Sequence, residues 1–278
     1  NLHLTTSINK GVTSSNMTFV FVNTPLDGGS HSLNQVKQVI YSIGDSLINV
    51  DEYHSVVIRS TVPPRATTDT IQTWLESASE KTVGTDVGLC YHPEFSAIGQ
   101  IMDSLQEPDF FLIGELDSYT GNRIEAVCQQ LRQNDAKILR TDTVTAELAK
   151  MANNTFRTIK ISFANTVGEI AHEVGASADE IISSFNQDSN IESNYLVPGT
   201  RYGGPCYSRD NIAFNDLASS VGATGDLAMV ADSVNDHHTR WVVDQVRSNT
   251  ESSGDIGVLG ISYKPNSYLL EDSQGKHL

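Results

Sequence analysis

The chain has 278 residues, enough for one large domain or two modest ones with real cores, and its 38% hydrophobic and 19% charged content is that of a globular protein. Eighteen Lys and Arg against 34 Asp and Glu leave a formal charge of −16, which argues against a nucleic-acid partner because phosphate recognition needs a basic face. No apolar run reaches the roughly 18–20 residues that span a bilayer and no basic-then-apolar leader opens the sequence, so no membrane partner is expected. The cysteines Cys90, Cys128 and Cys206 are odd in number and lack zinc-type spacing, which points to a reducing, cytoplasmic compartment and to no metal.

In chain order, MTFVFV (17–22) reads as a buried strand and 33–47 as an amphipathic helix. SVVIRS (55–60), a helix over 66–77, VGLCY (87–91), DFFLIG (109–114), a helix over 118–131 and KILRT (137–141) follow. Strands alternating with helices predict a parallel sheet covered on both faces. No G-x-G-x-x-G turn accompanies it. After Thr141 apolar residues recur every three to five positions from Val144 to Val174, which predicts one helix of about 30 residues closed by Gly175 at C′. Ser177 with Glu180 is a capping box for the next helix, and two more helices are predicted over 210–220 and 226–248. Ser252-Ser253-Gly254 reads as a linker and DIGVLGISY (255–263) as a new strand. The expected division is an α/β domain over 1–141, an all-α domain over 142–250 and the start of a third domain over 251–278.

The segment YLVPGTRYGGPCYSRD (195–210) is the most informative. Its glycines permit backbone approaches that a side chain would block, and Cys206 precedes a predicted helix whose N-terminal dipole favours a thiolate, with Asp210 one turn on. From the residues alone this is either an activated thiol or a glycine-rich loop with an inert, buried cysteine. Lys150 and Asn154, four apart on the long helix, are either donors to a developing oxyanion or ordinary solvated side chains. Thr24, Thr61 and Glu94 each follow a predicted strand, on the edge where open α/β sheets bind ligands.

FVNTP, VVIRSTVPP, HPEF, AELAKMANNTF, ISFANTVGEIA, YLVPGTRYGGPCYSRD, the Val234-Asn235 pair and GVLGISYKPN together resemble the UDP-glucose/GDP-mannose dehydrogenase family, in order and over nearly the whole chain. The resemblance implies a Rossmann-like NAD domain, here without its first βαβ unit and glycine-rich turn, a central helical domain that forms a homodimer, and a nucleotide-sugar-binding third domain of which only the first strand is present. It implies that Cys206 is the nucleophile of a four-electron oxidation of a sugar C6 alcohol to a carboxylate. Lys150 and Asn154 would stabilise oxyanions, Asp210 and Thr61 would position water or the C6 oxygen, and Glu94 would act as base in hydrolysis. Thr24, Pro25 and Thr61 would approach NAD; Tyr195, Leu196, Gly203 and Lys264 would meet the sugar nucleotide. Ile98, Glu271, Asn190 and Pro205 depart from the family pattern. Cys90, Cys128, His92 and His237-His238 have no counterpart role and are expected to be structural or solvated. Two other readings stay open: a two-electron hydroxyacid dehydrogenase relative, which would not need Cys206, and a catalytically silent dimerisation module.

Overall fold

The computed structural model describes residues 2–96, 98–250 and 254–278. The chain forms two compact units, one reaching Met151 and one starting at Ala152. Of the predicted linker, Ser252 and Ser253 lie outside the described residues.

In the first unit, helix α1 (Ile8–Thr13) leads to β1 (Met17–Val20) and a short hairpin, β2 (Leu26–Asp27) and β3 (Ser30–His31). Then come α2 (Asn34–Leu47), β4 (His54–Ile58), a π-helical turn (Ala66–Ile71) continuing into α3 (Gln72–Ser79), and β5 (Val87–Tyr91). The unit continues with α4 (Ile101–Gln106), β6 (Phe110–Glu115), α5 (Ser118–Leu131) and β7 (Lys137–Asp142). The main sheet has the order β1-β4-β5-β6-β7. Every pairing is parallel except β5 with β6, which meet antiparallel at Cys90–Glu115 and Tyr91–Gly114. The wholly parallel sheet expected from the alternation is corrected at this point. A parallel partner requires a crossover to the other end of the sheet; the chain between β5 and β6, with only the six-residue α4, starts β6 at the end where β5 stops.

All five residues of β4 and of β5 are buried, as both faces of a central strand require. Val56, Ile58, Leu89 and Tyr91 pack on one side with the α2 stripe Val36, Ile40, Ile43 and Leu47. Val57, Cys90, Phe111 and Ile113 pack on the other with Ile124 and Cys128 of α5. Each such side chain contributes about 1.5–3 kcal/mol, so the four of α2 together rival the roughly 5–15 kcal/mol net stability of a domain.

Helix α6 (Thr143–Val174) runs for 32 residues and leads into the second unit. It ends in a Schellman turn: Gly175 takes φ +73°, Ala176 N–H bonds the Ala171 carbonyl at 2.8 Å and Gly175 N–H that of His172 at 3.4 Å. Ser177 caps α7 (Ala178–Phe185) by accepting from the Glu180 amide. Helices α8 (Tyr207–Ser220) and α9 (Asp226–Ser248) pack together, and a single turn, α10 (Gln274–His277), closes the chain.

One expectation is corrected in this unit, the strand over 255–263. On α6, Met151, Ala164 and Ala171 are buried, whereas Phe156, Phe163 and Ile170 are 58%, 50% and 57% exposed. The interior is built of small residues and of polar side chains such as Asn165 and Asn235, which leaves the large apolar residues outside. Residues 255–263 form no strand, and Leu259 is fully exposed. An apolar run becomes a strand only when a neighbour completes its hydrogen-bond ladder, and none does so among the described residues.

Candidate functional site

Thr24, Thr61 and Glu94 stand beyond the carboxyl ends of β1, β4 and β5, three neighbours in the sheet, so the predicted edge is real. Thr24 is buried, with His31 Nδ1 3.1 Å from its carbonyl oxygen, Thr61 is half-buried and Pro25 is exposed. The Ser60 hydroxyl donates to the Val22 carbonyl and accepts from the Val22 amide, each at 2.8 Å, and so ties the chain after β4 to the chain after β1. A cavity of about 400 Å³ lined by Phe21, Val22, Asn23, Gln35 and Ser60 lies there. Glu94 is ion-paired with the buried Arg59 guanidinium and accepts from the Ser96 amide at 2.7 Å. Burial raises its carboxyl, but Arg59 and the Ser96 bonds outweigh burial and hold it below the usual range. Ile98 lies in a turn just beyond this loop.

Lys150 is 9% exposed, with its ammonium 4.9 Å from the centroid of the Phe95 ring, and is therefore not the solvated lysine that spacing alone allowed. One turn earlier on α6, Glu147 is fully buried; it accepts from the Arg65 amide at 2.7 Å, the Thr67 amide at 2.8 Å and the Thr67 hydroxyl at 2.5 Å.

In the second unit, Asn154 donates through Nδ2 to Asp210 Oδ2 at 2.6 Å, and Asp210 is fully buried. Arg209 Nε lies 3.1 Å from its other oxygen. The Asp210 amide bonds the Cys206 carbonyl at 2.8 Å, which closes the first turn of α8 with Cys206 at the N-cap. Cys206 is half-buried, whereas Cys90 and Cys128 are buried, and none of the three is in a disulfide. The approaching loop is built around its glycines. A Cβ on Gly203 would overlap the Asp272 carbonyl; one on Gly204, at φ +86°, would stand 2.7 Å from the Tyr263 ring. Burial raises the Tyr263 phenol, and the nearby Cys206 adds to the rise. Lys264 follows, half-buried, its ammonium lowered by burial.

Tyr195 has φ +70°, an uncommon backbone state for a bulky residue, and its ring lies 4.9 Å from the Arg157 guanidinium. Leu196 is buried. Burial pushes the Tyr207 phenol up to about 12, with Tyr195 adding to the rise and Arg157 opposing it. Among the departures, the Glu271 carbonyl accepts from the Gly204 amide at 2.9 Å, Pro205 is half-buried and the exposed Asn190 bonds Asp188. His92 and Cys128 meet at 3.5 Å inside the first unit; burial lowers the imidazole to about 4 and raises the thiol to about 11, which makes them packing groups. His238 is buried between Glu169 and the Gly199 carbonyl, 2.7 Å from each, while His237 is largely exposed.

Arg59, Glu147, Arg157, Arg201 and Asp272 carry no signal in the sequence reading, because their partners are distant in the chain. Asn235, read only as half of a dipeptide, accepts from the Tyr202 amide at 2.9 Å and donates to the Tyr202 carbonyl at 3.0 Å.

A Rossmann-like sheet with polar residues along its carboxyl edge, followed by a helical unit, is the class of architecture used by nicotinamide-dependent dehydrogenases. The chain belongs to the UDP-glucose/GDP-mannose dehydrogenase family: residues 1–132 match its NAD binding domain and residues 144–237 its central domain. The chain is 32% identical over 261 residues to a UDP-glucose 6-dehydrogenase of Haloferax volcanii, covering 92% of this chain and 61% of that protein. It is 30% identical over 272 residues to a GDP-mannose 6-dehydrogenase of Pseudomonas aeruginosa, covering 97% and 61%. The solved structure of a UDP-glucose dehydrogenase from Pyrobaculum islandicum superposes with a TM-score of 0.88 at 28% identity, covering 98% of this chain and 62% of that one. The chain thus spans about three fifths of the length of these relatives. No described helix is long and apolar enough to cross a membrane, and no described group of three or more His, Cys, Asp or Glu could hold a metal.

Proposed function

We propose that the protein containing this sequence is a cytoplasmic, dimeric enzyme that oxidises the C6 alcohol of a UDP- or GDP-hexose to the carboxylate, through a thioester on Cys206. The observation that carries this reading is the 2.6 Å bond from Asn154 to Asp210, which fastens α6 to the helical turn capped by Cys206. The named activities of the relatives supply the substrate class. Residues 1–141, 142–250 and 251–278 correspond, on this reading, to cofactor, central and sugar-nucleotide domains.

Thr24, Pro25 and Thr61 fit a dinucleotide, because they follow Asn23 and Ser60, which line a cavity at the sheet edge where α/β folds bind one. A bound NAD would supply the hydride acceptor for each of two oxidations at C6. Between them, the Cys206 thiolate adds to the aldehyde carbon and a C–S bond forms, giving a thiohemiacetal whose oxygen carries the displaced π electrons. Loss of the second hydride from that oxyanion leaves the thioester. Water then adds with its proton passing to Glu94, the C–S bond breaks, and the thiolate returns with the carboxylate released. Lys150 and Asn154 donate to the oxyanions, a role for which one donor is worth about 2.7–4 kcal/mol. Asp210 and Thr61 orient water or the C6 oxygen; Tyr195, Leu196, Gly203 and Lys264 line the path of the sugar nucleotide. The α8 N-terminus favours the thiolate.

Cys206→Ser in a full-length protein tests the mechanism. Carboxylate formation, followed by mass spectrometry of the product, is expected to disappear; a variant that still makes carboxylate would leave the two-electron hydroxyacid reading. The 278-residue polypeptide by itself is expected to bind NAD weakly and not to turn over, since it contains no G-x-G-x-x-G phosphate turn. Micromolar or tighter binding in a calorimetric titration would contradict this. In isolation the chain then acts as a dimerisation module, which the exposed Phe156, Phe163 and Ile170 favour.

A further inference from the structure

Arg201 is 7% exposed, and its guanidinium takes partners from the C-terminal segment and from α9. Nη2 donates to Asp272 Oδ1 at 2.8 Å, and Nη1 lies 3.2 Å from Asp236 Oδ1 and 3.3 Å from Thr239 Oγ1 on α9. Asp272 has a second grip. Its Oδ2 accepts from the Ser208 hydroxyl, in the first turn of α8, at 3.2 Å. The two residues it holds lie five before and two after Cys206. Between them, Gly203 rests against the Asp272 carbonyl and Gly204 donates to the Glu271 carbonyl.

We infer that the Asp272 carboxylate is a positioning residue for the thiol: by holding Arg201 and Ser208 together it fixes Cys206 on the α8 N-terminus, and it makes the reactivity of Cys206 depend on the 263–278 segment. This deepens the proposed function and rests on its assignment of Cys206 as nucleophile. A cysteine is activated by a helix N-terminus only while its sulfur stays over the unpaired amides, because the dipole field decays within one turn. A bond on one flank would leave the other free to swing; two bonds to one carboxylate constrain both. The charged and titratable groups around this turn include Asp210, Arg209 and Tyr207 on α8, Arg201 in the loop, Asp236 on α9, Arg157 from α6, and Tyr263, Lys264, Asp272 and His277 from the C-terminal segment, His277 Nε2 lying 2.9 Å from Asp272 Oδ1.

The charges of the two partners give a test that separates positioning from a simple field effect. Removing the Arg201 cation would, by charge alone, move thiol ionisation to higher pH; removing the Asp272 anion would move it to lower pH. Loss of position moves it to higher pH in both cases. Alkylation of the folded 278-residue chain by iodoacetamide, followed against pH with the modified peptide identified by mass, reports Cys206 because Cys90 and Cys128 are buried. Arg201→Met and Asp272→Asn are both expected to raise the midpoint by about one pH unit, which is about tenfold less thiolate at neutral pH. Ser208→Ala, which changes no charge, is expected to raise it by less and carries the test if Arg201→Met does not fold. Shifts of opposite sign, or no shift in folded Asp272→Asn and Ser208→Ala, would overturn the inference. Because neither NAD nor a sugar nucleotide is needed, this result is independent of the carboxylate test of Cys206→Ser.

Discussion

Glu147 is fully buried, and the groups it accepts from are two amides at the start of the π-helical turn and the Thr67 hydroxyl. Burial nevertheless pushes its carboxyl up to about 7, against the pull of the Thr67 and Arg65 bonds. Between the ordinary carboxylate range and pH 7 the folded state keeps a proton that the unfolded state has lost. Stability from this group is therefore complete below about pH 4.5 and is lost as pH rises through about 7, by roughly 3 kcal/mol in all. Thermal unfolding of the native chain is expected to show that decline between about pH 4.5 and 7, and Glu147→Gln to flatten it. An unchanged slope in the variant would assign the decline to other groups. In the sequence Glu147 is one glutamate among many, because its partners sit some 80 residues earlier.

At the scale of elements, the loop before α8 and the segment after α9 are packed against each other through backbone. The Tyr263 ring covers Gly204, and the Asp272 carbonyl occupies the space a Cβ on Gly203 would need. Gly203→Ala must displace that carbonyl, at an expected cost of about 1–3 kcal/mol. Limited proteolysis is expected to release residues after 254 faster in this variant than in the native chain; equal rates would mean that the loop yields instead. The glycine pair was legible as a close approach, but its partner was not, since a glycine shows that something comes near without showing what.

At the scale of the molecule, Phe156, Phe163 and Ile170 repeat every seven residues along one side of α6 and remain at least half exposed. On the proposed reading a second copy covers them. Light scattering at micromolar concentration is expected to give a dimer, and Phe163→Asp a monomer. With −16 on each chain the copies repel, so association is expected to strengthen as salt rises from about 0.01 to 0.15 M and the screening length falls from about 30 to 8 Å. A monomer at all salt concentrations would remove the dimer from the proposal.

Local chemistry in the sequence determined the helix that Gly175 ends, the Ser177 cap, the buried strands β4 and β5, and the candidacy of Cys206, because each depends on neighbours within a few residues. Tertiary structure alone decided the direction of β6, the fate of residues 255–263, which face of α6 is buried and what Asp272 holds. Each of these turns on a hydrogen-bond or packing partner far away in the chain: a strand needs its ladder, a stripe needs a surface, and a carboxylate needs its donors. Periodicity along one segment records none of those partners.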